Sequence, residues 1–583
     1  MPLIVATSNI IRFEPRRVKD YKTMRIRNIW LLLLLLLLSS CMAGDVFLTC
    51  DEFEQHMYMD ATEAFCTVSS FIVTHSQNVV VKNFQHGNMV KFMKFYDSTL
   101  LYVPFHLFET FTHLKTLDVS YTSILELTRN TFGAAGNLTV LNLSNNNLTS
   151  VQTSVFIGAG ALMRLDLSNN RISQLSENAF CGLHILNKLL LAGNRLSELH
   201  KDIFKDNEYL ESISLEANAL SYVQPEVFNR MRRIKEVNLS LNKLIKLHPD
   251  TFQEAASLES LLLASNSLTA FHLSNKSIVH QLHLDYNQLS NLTINATRFV
   301  RANYNNITHL FMHQALQLET LELRGNRLQS MVNITNLTSL LHLDLAYNPI
   351  GPLSVSSFDQ LKRLRNLYLR ATGIRDLTFG MFSKQKYLEV LDLSFNNLSS
   401  LNLDLFVPYL INLKQFYVDG NALSELQGNR SFTQVFPLLQ KLGISRNRFN
   451  CSYLHHLLIP PYLAESVALH IEPDDSVEET PHIRDVSCIS LSPTTAASPA
   501  PSSSLASLPV LQQQLELLRS HTKHLEMHLF LMKLFLYVVA SLVCVSLVAL
   551  ITLRYLKLRR SGRYNRSSIV FQSNATMDAN LTM

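Results

Sequence analysis

The residues best suited to chemistry are histidines, tyrosines and arginines that recur from position 280 onward. His280 and His283 have a spacing that suits two ligands of one metal ion, but no third ligand follows from the spacing, so no metal is predicted. Tyrosine and arginine supply large, fairly stiff contact areas and are enriched at the energetic centres of protein interfaces. The chemistry predicted here is protein binding, through His280, His283, Tyr286, Arg298, Arg301, Tyr304, His342, Tyr347, Arg365, Tyr368, Arg370 and Phe395.

Each of these residues has an alternative interpretation as an ordinary solvated position, because acidic residues interleave with them. No catalytic signature accompanies the set: the sequence lacks a Gly-x-Ser-x-Gly elbow, a His-Glu-x-x-His helix, a phosphate-binding loop and the kinase motifs. Neither enzyme activity nor a cofactor is therefore predicted.

A repeated phrase positions this set. It consists of an apolar residue, two variable residues, two apolar residues spaced by one, and then a small polar anchor, as in Leu138, Leu141, Leu143 and Asn146. The first seven steps between anchors are all 24 residues. The phrase predicts a leucine-rich-repeat solenoid, a curved horseshoe with a parallel concave sheet, of about sixteen repeats over residues 90–450. The anchors are Ser98, Thr122, Asn146, Asn170, Asn194, Asn218, Asn242, Asn266, Asn287, Asn305, Asn326, Asn348, Thr372, Asn396, Asn421 and Asn447.

The anchor amide is expected to pair backbone groups of adjacent repeats, a task that Ser98, Thr122 and Thr372 can perform only in part. Ten residues after many anchors stands a phenylalanine, and these rings are predicted to form a buried spine rather than an exposed stripe. The spacing shortens between Asn266 and Asn348, where the spine is interrupted. The spine residues are Phe108, Phe132, Phe156, Phe180, Phe204, Phe228, Phe252, Phe358, Phe382 and Phe406.

Cysteines flank the repeats. Cys50 with Cys66, and Cys451 with Cys488, are predicted to staple caps at residues 44–89 and 451–488, because terminal coils of a solenoid expose their core. Cys181 has no predicted partner within the chain. It is interpreted either as a free, partly covered thiol or as the site of an intermolecular disulfide.

Two apolar segments of the sequence predict where in the cell the protein is located. Residues 1–43 resemble a signal peptide, with Met1 or Met24 as the start and a signal anchor as the alternative. Residues 534–553 are uncharged and long enough to span a bilayer, and basic residues follow them in the predicted cytoplasmic tail, 554–583. The expected localisation is the plasma membrane, as a type I single-pass protein with its N-terminal ectodomain outside.

The formal net charge of +5 is unevenly distributed. The predicted leader and tail each carry about +5, so the segment between them carries about −5. Nucleic-acid binding therefore has no electrostatic support.

Thirteen Asn-x-Ser/Thr sites of the predicted ectodomain are candidates for glycosylation, and not all of them need be used. Asn142 and Asn238 fall inside the strand phrase, so sugars there would cover part of the early concave face. The sites are Asn137, Asn142, Asn147, Asn238, Asn275, Asn291, Asn295, Asn306, Asn333, Asn336, Asn397, Asn429 and Asn450.

A stalk is predicted after the second cap. Residues 489–509 form a linker rich in Ser, Pro and Thr, and residues 510–533 carry an apolar heptad pattern. The pattern favours a short coiled coil that joins two copies or two different chains, with an amphipathic helix on the lipid surface as the alternative. The coiled-coil seam comprises Leu511, Leu515, Leu518, Leu525, Leu529 and Met532, with Thr522 at one core position.

The leader, the cysteine-flanked repeats, the heptads and the single span together resemble insect extracellular leucine-rich-repeat receptors. The layout is most similar to the transmembrane branch of the mosquito leucine-rich-repeat immune proteins. The resemblance implies innate immunity, in which soluble relatives pair through coiled coils and disulfides and hold a complement-like thioester protein. This chain differs from them in having a predicted span and in lacking clustered cysteines before the coil, which leaves thioester-protein binding unsupported here.

The sequence thus predicts a cell-surface recognition receptor or co-receptor of innate immunity that binds a protein or microbial ligand. The alternative is a cell-adhesion or developmental leucine-rich-repeat membrane protein without an immune role.

Overall fold

The computed structural model describes residues 46–489, except for 51, 59–60, 74–78, 82–86, 105, 229, 256–257, 275–276, 314 and 473–480. The predicted signal peptide, linker, coiled coil, span and tail lie outside these residues, apart from Ile489. Within the described part, no helix is long and apolar enough to cross a membrane.

A long sheet carries the repeat strands, and sixteen of its strands belong to the sixteen predicted repeats. Neighbouring strands are parallel and in register, so Leu141 lies beside Leu165 and Leu165 beside Leu189. An antiparallel pair begins the sheet, and a strand from the second cap ends it. The strands are Glu52–Tyr58, Ala61–Ser69, Val90–Tyr96, Thr116–Asp118, Val140–Asn142, Arg164–Asp166, Lys188–Leu190, Ser212–Ser214, Glu236–Asn238, Leu258–Leu262, Val279–His283, Phe299–Arg301, Thr320–Glu322, His342–Asp344, Asn366–Tyr368, Val390–Asp392, Gln415–Tyr417, Lys441–Gly443 and Ala468–His470.

The central residue of each short strand faces the core, while the two flanking residues face the concave side. Leu141, Leu165 and Leu189 are fully buried, and each such side chain stabilises the fold by about 1.5–3 kcal/mol relative to exposure. Since each coil covers the leucines of its neighbours, the core is continuous along the array.

The anchor asparagines pair backbone groups as predicted. The Asn170 amide donates to the carbonyls of Leu143 and Leu167 at 2.9 and 3.0 Å, and its oxygen accepts from the Leu148 backbone N–H at 3.0 Å. The Thr122 hydroxyl donates to Val119 O within its own repeat. An asparagine therefore links three backbone groups across two repeats, whereas Thr122 replaces only part of that bonding.

The phenylalanine spine is buried, as predicted. Consecutive ring centroids from Phe108 to Phe252 lie 5.0–6.5 Å apart, and those from Phe358 to Phe406 lie 5.5–5.8 Å apart. Where the repeats are short and the spine is missing, the return segments form a three-stranded parallel sheet of Ala270–Phe271, Asn291–Asn295 and His309–His313. Backbone hydrogen bonds between these short strands thus take the place of the stacked phenylalanine rings.

Both predicted disulfides are present, Cys50–Cys66 and Cys451–Cys488. The second cap begins with the helix Cys451–Leu457, whose N-cap Asn450 accepts a hydrogen bond from the Ser452 backbone N–H at 2.8 Å. Its strand Ala468–His470 pairs with the last repeat strand. The cap therefore extends the sheet and covers the end of the core.

Short elements complete the described residues. The other α-helices are Leu107–Thr110 and Phe432–Val435, and the 3₁₀ helices are Gly87–Met89, Pro225–Phe228, Ala315–Gln317 and Leu403–Phe406. The remaining paired strands are Val46–Leu48 with Val79–Val81, Ile72–Val73 with Thr99–Leu100, Ser150–Val151 with Gln174–Leu175, Leu401–Asn402 with Leu426–Gln427, and His482–Ile483 with Val486–Ser487.

Candidate binding surface

The residue just before each anchor has a left-handed backbone, because the chain turns sharply off the strand there. In four of the later repeats this position is held by an aromatic residue: Tyr286, Tyr304, Tyr347 and Phe395 have φ of 56°, 54°, 57° and 54°. Bulky residues rarely adopt this conformation, and strain of this kind is often found at functional sites. The array imposes it, since the Tyr347 N–H donates to Arg370 O at 2.7 Å in the next repeat.

These aromatic rings and three arginines form a continuous row along the edge where the strands end. We call this row the rim ladder and define it as Tyr286, Tyr304, Arg324, Tyr347, Arg370, Phe395 and Arg446. The Tyr286 and Tyr304 rings stack with centroids 4.9 Å apart. Tyr286, Tyr304 and Tyr347 remain 57%, 44% and 42% exposed, so the row offers aromatic area to solvent.

The arginines connect the rings. Arg324 Nε donates to Tyr304 Oη at 3.2 Å, and its guanidinium lies 4.7 Å from the Tyr347 ring centroid. Arg370 repeats this pattern, donating from Nε to Tyr347 Oη at 2.9 Å and stacking 4.1 Å from the Phe395 centroid. The Arg446 guanidinium lies 5.9 Å from the Phe395 centroid. The side chains are thereby held in place before any ligand binds.

Two glycines make room for the rings. A Cβ atom on Gly325 would lie 2.8 Å from Cδ1 of Tyr304, and a Cβ on Gly420 would lie 2.8 Å from Cδ1 of Phe395. Both glycines have positive φ, at 66° and 64°. Glycine at these two positions therefore lets each ring lie flat against the following repeat.

A second group of predicted residues lies on the strands themselves, in the middle of the concave sheet, and comprises His283, Arg301, His342 and Tyr368. Arg301 Nε lies 3.0 Å from Glu322 Oε2 and 3.5 Å from Asp285 Oδ2. Burial lowers the pKa of His283 and of His342, which disfavours their charged forms. The charge of Arg301 is thus paired with two carboxylates, in contrast to the exposed rings of the rim ladder.

In later repeats, the carboxylates in the middle of the concave sheet are more buried. Burial raises the pKa of Asp344 to about 6, although its carboxylate accepts the Ala346 N–H at 2.9 Å. The pKa of Tyr368 is also raised, by burial and by the nearby Asp344. Tyr368 packs against His342 with ring centroids 5.4 Å apart.

The third group lies at the opposite edge, where the strands begin. Arg298 Nε lies 2.9 Å from Glu319 Oε1, and Arg365 Nη1 lies 3.2 Å from Glu389 Oε1. His280, near the start of its strand, belongs to this edge. The twelve predicted residues are thus divided among two edges and a central row of the sheet.

Two predicted glycosylation sites occupy the early concave face, where the sequence placed them. Asn142 and Asn238 end their strands and are half-buried. The Asn238 side chain donates to Glu216 Oε2 at 2.9 Å. Of the remaining sites, Asn275 lies outside the described residues, and the exposed ones include Asn137, Asn291, Asn333, Asn336, Asn397 and Asn429.

Sequence reasoning missed Arg324 and Arg446 of the rim ladder. Arg324 stands two residues before its anchor, as Arg370 does, so alignment on the anchors would have found it. It also missed that Asp419 lies close to His470 and Glu472. These three residues are one of two groups in the described residues whose potential metal-ligand atoms lie within 4.8 Å of one another. The other group is Glu177, His200 and Asp202, so neither contains His280 or His283.

Comparisons with known proteins agree with this architecture. A family model described as leucine rich repeat matches residues 136–196, 186–244, 208–268 and 362–423. Among curated relatives, Tsukushi of Gallus gallus is 31% identical over 143 residues, and Toll-like receptor 2 of Boselaphus tragocamelus is 36% identical over 138 residues. Each match covers 23% of this chain, which spans only 37% and 16% of the two relatives.

Solved structures show the same kind of likeness. The leucine-rich-repeat domain of APL1B is 26% identical with a TM-score of 0.47, over 54% of this chain and 90% of that domain. The Toll–Spätzle complex, described as a hub in Drosophila development and innate immunity, gives 17% identity and a TM-score of 0.53 over 71% of this chain and 63% of that one. Only the second likeness, with its TM-score above 0.5, bears on the fold of this chain, and it shows the fold alone. The matched segments and the sixteen stacked strands make this chain a leucine-rich-repeat solenoid protein, similar in its repeats to Toll-like receptor 2.

Proposed function

We propose that this chain is a cell-surface recognition receptor or co-receptor of innate immunity whose rim ladder contacts a protein or microbial ligand. The observation that carries the proposal is the row of aromatic rings at left-handed positions, three of them exposed tyrosines, with arginines stacked against Tyr347 and Phe395. Tyrosine and arginine dominate the energetics of protein interfaces, and a preformed surface loses less conformational entropy on binding.

The similarity to Toll-like receptor 2 supports an immune role, although it covers 23% of this chain. A leucine-rich-repeat solenoid is typical of proteins that bind ligands rather than transform them. The transmembrane branch of the mosquito family is the specific membership we propose, on the sequence layout of leader, repeats, heptads and apolar segment.

Membrane attachment and pairing belong to the same proposal. Residues 534–553 would anchor the chain with its repeats outside the cell, and the heptads at 510–533 would pair it with a second chain.

The alternative remains an adhesion or developmental receptor. The Toll–Spätzle complex is itself described as serving both development and innate immunity, and the leucine-rich-repeat fold is compatible with either role. Induction of the protein in blood cells after infection favours the immune role, whereas patterned expression in nerve or epithelium favours the alternative.

The proposed binding surface is tested by measuring how much ligand the full chain captures when the rim ladder is intact and when it is mutated. Wild type is compared with a Tyr347→Ala, Arg370→Ala double variant in capture from haemolymph or from microbial extract. Tyr121→Ala is the matched control, because Tyr121 occupies the same position in an early repeat, with φ of 60° and 75% exposure.

We expect the double variant to lose at least about tenfold in recovery of a ligand, equivalent to about 1.4 kcal/mol, while Tyr121→Ala keeps wild-type recovery. Equal recovery of every ligand by the double variant and by wild type would overturn the assignment of the rim ladder.

A further inference from the structure

We propose that Asp419, His470 and Glu472 form a divalent cation site, most closely suited to zinc, between the last repeats and the second cap. One ligand atom from each side chain lies within 4.8 Å of the other two. The proposal does not rest on the proposed function, although Glu472 also pairs with Arg370 of the rim ladder, and nothing in the repeat pattern indicates the site.

The sheet brings the three residues together. Gly443, in the last repeat strand, is the direct neighbour of Tyr417 on one side and of His470 on the other. Because Gly443 has no side chain, the carboxylate of Asp419 occupies the space above it, and a Cβ there would overlap Asp419 Oδ2. This glycine therefore opens the path between Asp419 and the cap strand.

Asp419 supplies a second, independent indication of a ligand. Its side chain is fully buried, and Oδ1 accepts hydrogen bonds from the Ser445 backbone N–H at 2.8 Å and from the Ser445 hydroxyl at 2.6 Å. Oδ2 has no hydrogen-bond partner among the described residues. A buried polar atom without a partner destabilises the fold, and a bound cation would remove this cost.

The cap supplies the other two groups. His470 Nε2 lies 3.3 Å from Glu472 Oε1, and the His470 ring meets the Tyr417 ring edge-on with centroids 5.2 Å apart. Arg370 forms an ion pair with the same Glu472 oxygen. Arg370 therefore balances the charge of Glu472 when no cation is bound, and Glu472 Oε2 takes no part in these two contacts.

The donor set selects the kind of cation. Calcium and magnesium prefer ligand sets made of oxygen alone, whereas an imidazole nitrogen with two carboxylates suits zinc and similar first-row metals. Three protein ligands leave a fourth zinc position for water or for a group from another molecule.

The experiment measures zinc retained by the full chain. Chelator-treated protein is equilibrated with zinc chloride, freed of excess metal by gel filtration and analysed by atomic emission. The variants are His470→Gln and Asp419→Asn, and His184→Gln is the control because His184 is exposed to solvent in part and is not among the three proposed ligands. Subtracting each variant's zinc content from that of wild type removes the contribution of other surface histidines.

We expect both site variants to retain one zinc fewer per chain than wild type and His184→Gln. Zinc should also raise the melting temperature of wild type more than that of His470→Gln. Since Asp419 is buried, Asp419→Asn could fail to fold, and the partly exposed His470 then decides the outcome. Equal zinc content and equal thermal shifts in His470→Gln and wild type would overturn the proposal.

Discussion

The guanidinium of Arg370 lies 4.1 Å from the centroid of the Phe395 ring, one repeat further along the array. The same side chain also bonds Tyr347 in the preceding repeat and Glu472 in the cap. Arginine can stack and donate several hydrogen bonds at once because its guanidinium is planar, whereas lysine cannot. Arg370 thus connects the rim ladder with the second cap.

The flat position of the Phe395 ring should depend on Gly420. Gly420→Ala combines a strained φ with a ring contact, whereas Gly373→Ala, with φ of 82° and no atom within 4 Å of the added Cβ, has only the strain. We expect Gly420→Ala to lower stability by about 0.5–1.5 kcal/mol more than Gly373→Ala, the cost of a displaced rotamer.

Thermal unfolding of both variants measures this difference. In the Phe395→Ala background the added Cβ meets no ring, so the excess cost of Gly420→Ala should disappear. An excess that persists without the ring would show that the contact with Phe395 is not its cause.

The anchor asparagines should contribute more to stability than their exposed neighbours. Asn170→Ala removes partners from Leu143 O, Leu167 O and Leu148 N, and we expect a loss above about 2 kcal/mol. Asn170→Thr should cost less, since Thr122 keeps one such bond at its own anchor. Urea unfolding gives the comparison with exposed Arg171→Ala, and equal losses for Asn170→Ala and Arg171→Ala would show that the anchor bonds do not stabilise the array.

The raised pKa of Asp344 predicts a definite pH dependence. The folded pKa is about 6, above the ordinary value of 3.8, so the folded state binds more protons between these values. Its contribution to stability is therefore fully present below about pH 4 and is lost as pH rises through 6. The loss is at most about 3 kcal/mol, at about 1.4 kcal/mol for each unit of pKa.

Asp344→Asn retains an acceptor for the Ala346 N–H but cannot ionise. Relative to wild type, its stability should increase between pH 4 and 6 and stay constant above that range, as measured by melting temperature against pH. A difference between the two proteins that does not change with pH would show that Asp344 is not the titrating group.

Cys181 should react slowly as a thiol. A hydrogen bond with Asp206 raises its pKa, and partial burial adds to this effect. Asp206→Ala should lower the pKa and speed alkylation of Cys181 near neutral pH, whereas Asp202→Ala should leave the rate unchanged. If Cys181 reacts only after reduction, it forms an intermolecular disulfide, the alternative interpretation of this residue.

The repeats, the anchors and the phenylalanine spine were predictable because each recurs at a regular spacing in the sequence. That spacing can be recognised whatever residues occupy the surface positions. The division of the binding residues was harder to predict. Tyr347 and Tyr368 are both aromatic and belong to neighbouring repeats, but Tyr347 precedes its anchor by one residue and Tyr368 by four. That offset places them at different parts of the sheet.

The proposed cation site could not be predicted from the repeats. Asp419 belongs to the array, but His470 and Glu472 belong to the cap, which has no period that relates them to it. Their proximity depends on how the cap strand Ala468–His470 continues the sheet beyond the last repeat. Only the folded chain contains this information.

The most direct test of the rim ladder is site-specific photo-crosslinking on the full chain. A photoreactive phenylalanine analogue replaces Tyr347 in one preparation and Tyr121 in another, and each is exposed to haemolymph or microbial extract. We predict a crosslinked product from position 347 that position 121 does not give. Crosslinking from position 121 alone, or equal products from both positions, would contradict the assignment of the rim ladder as the binding surface.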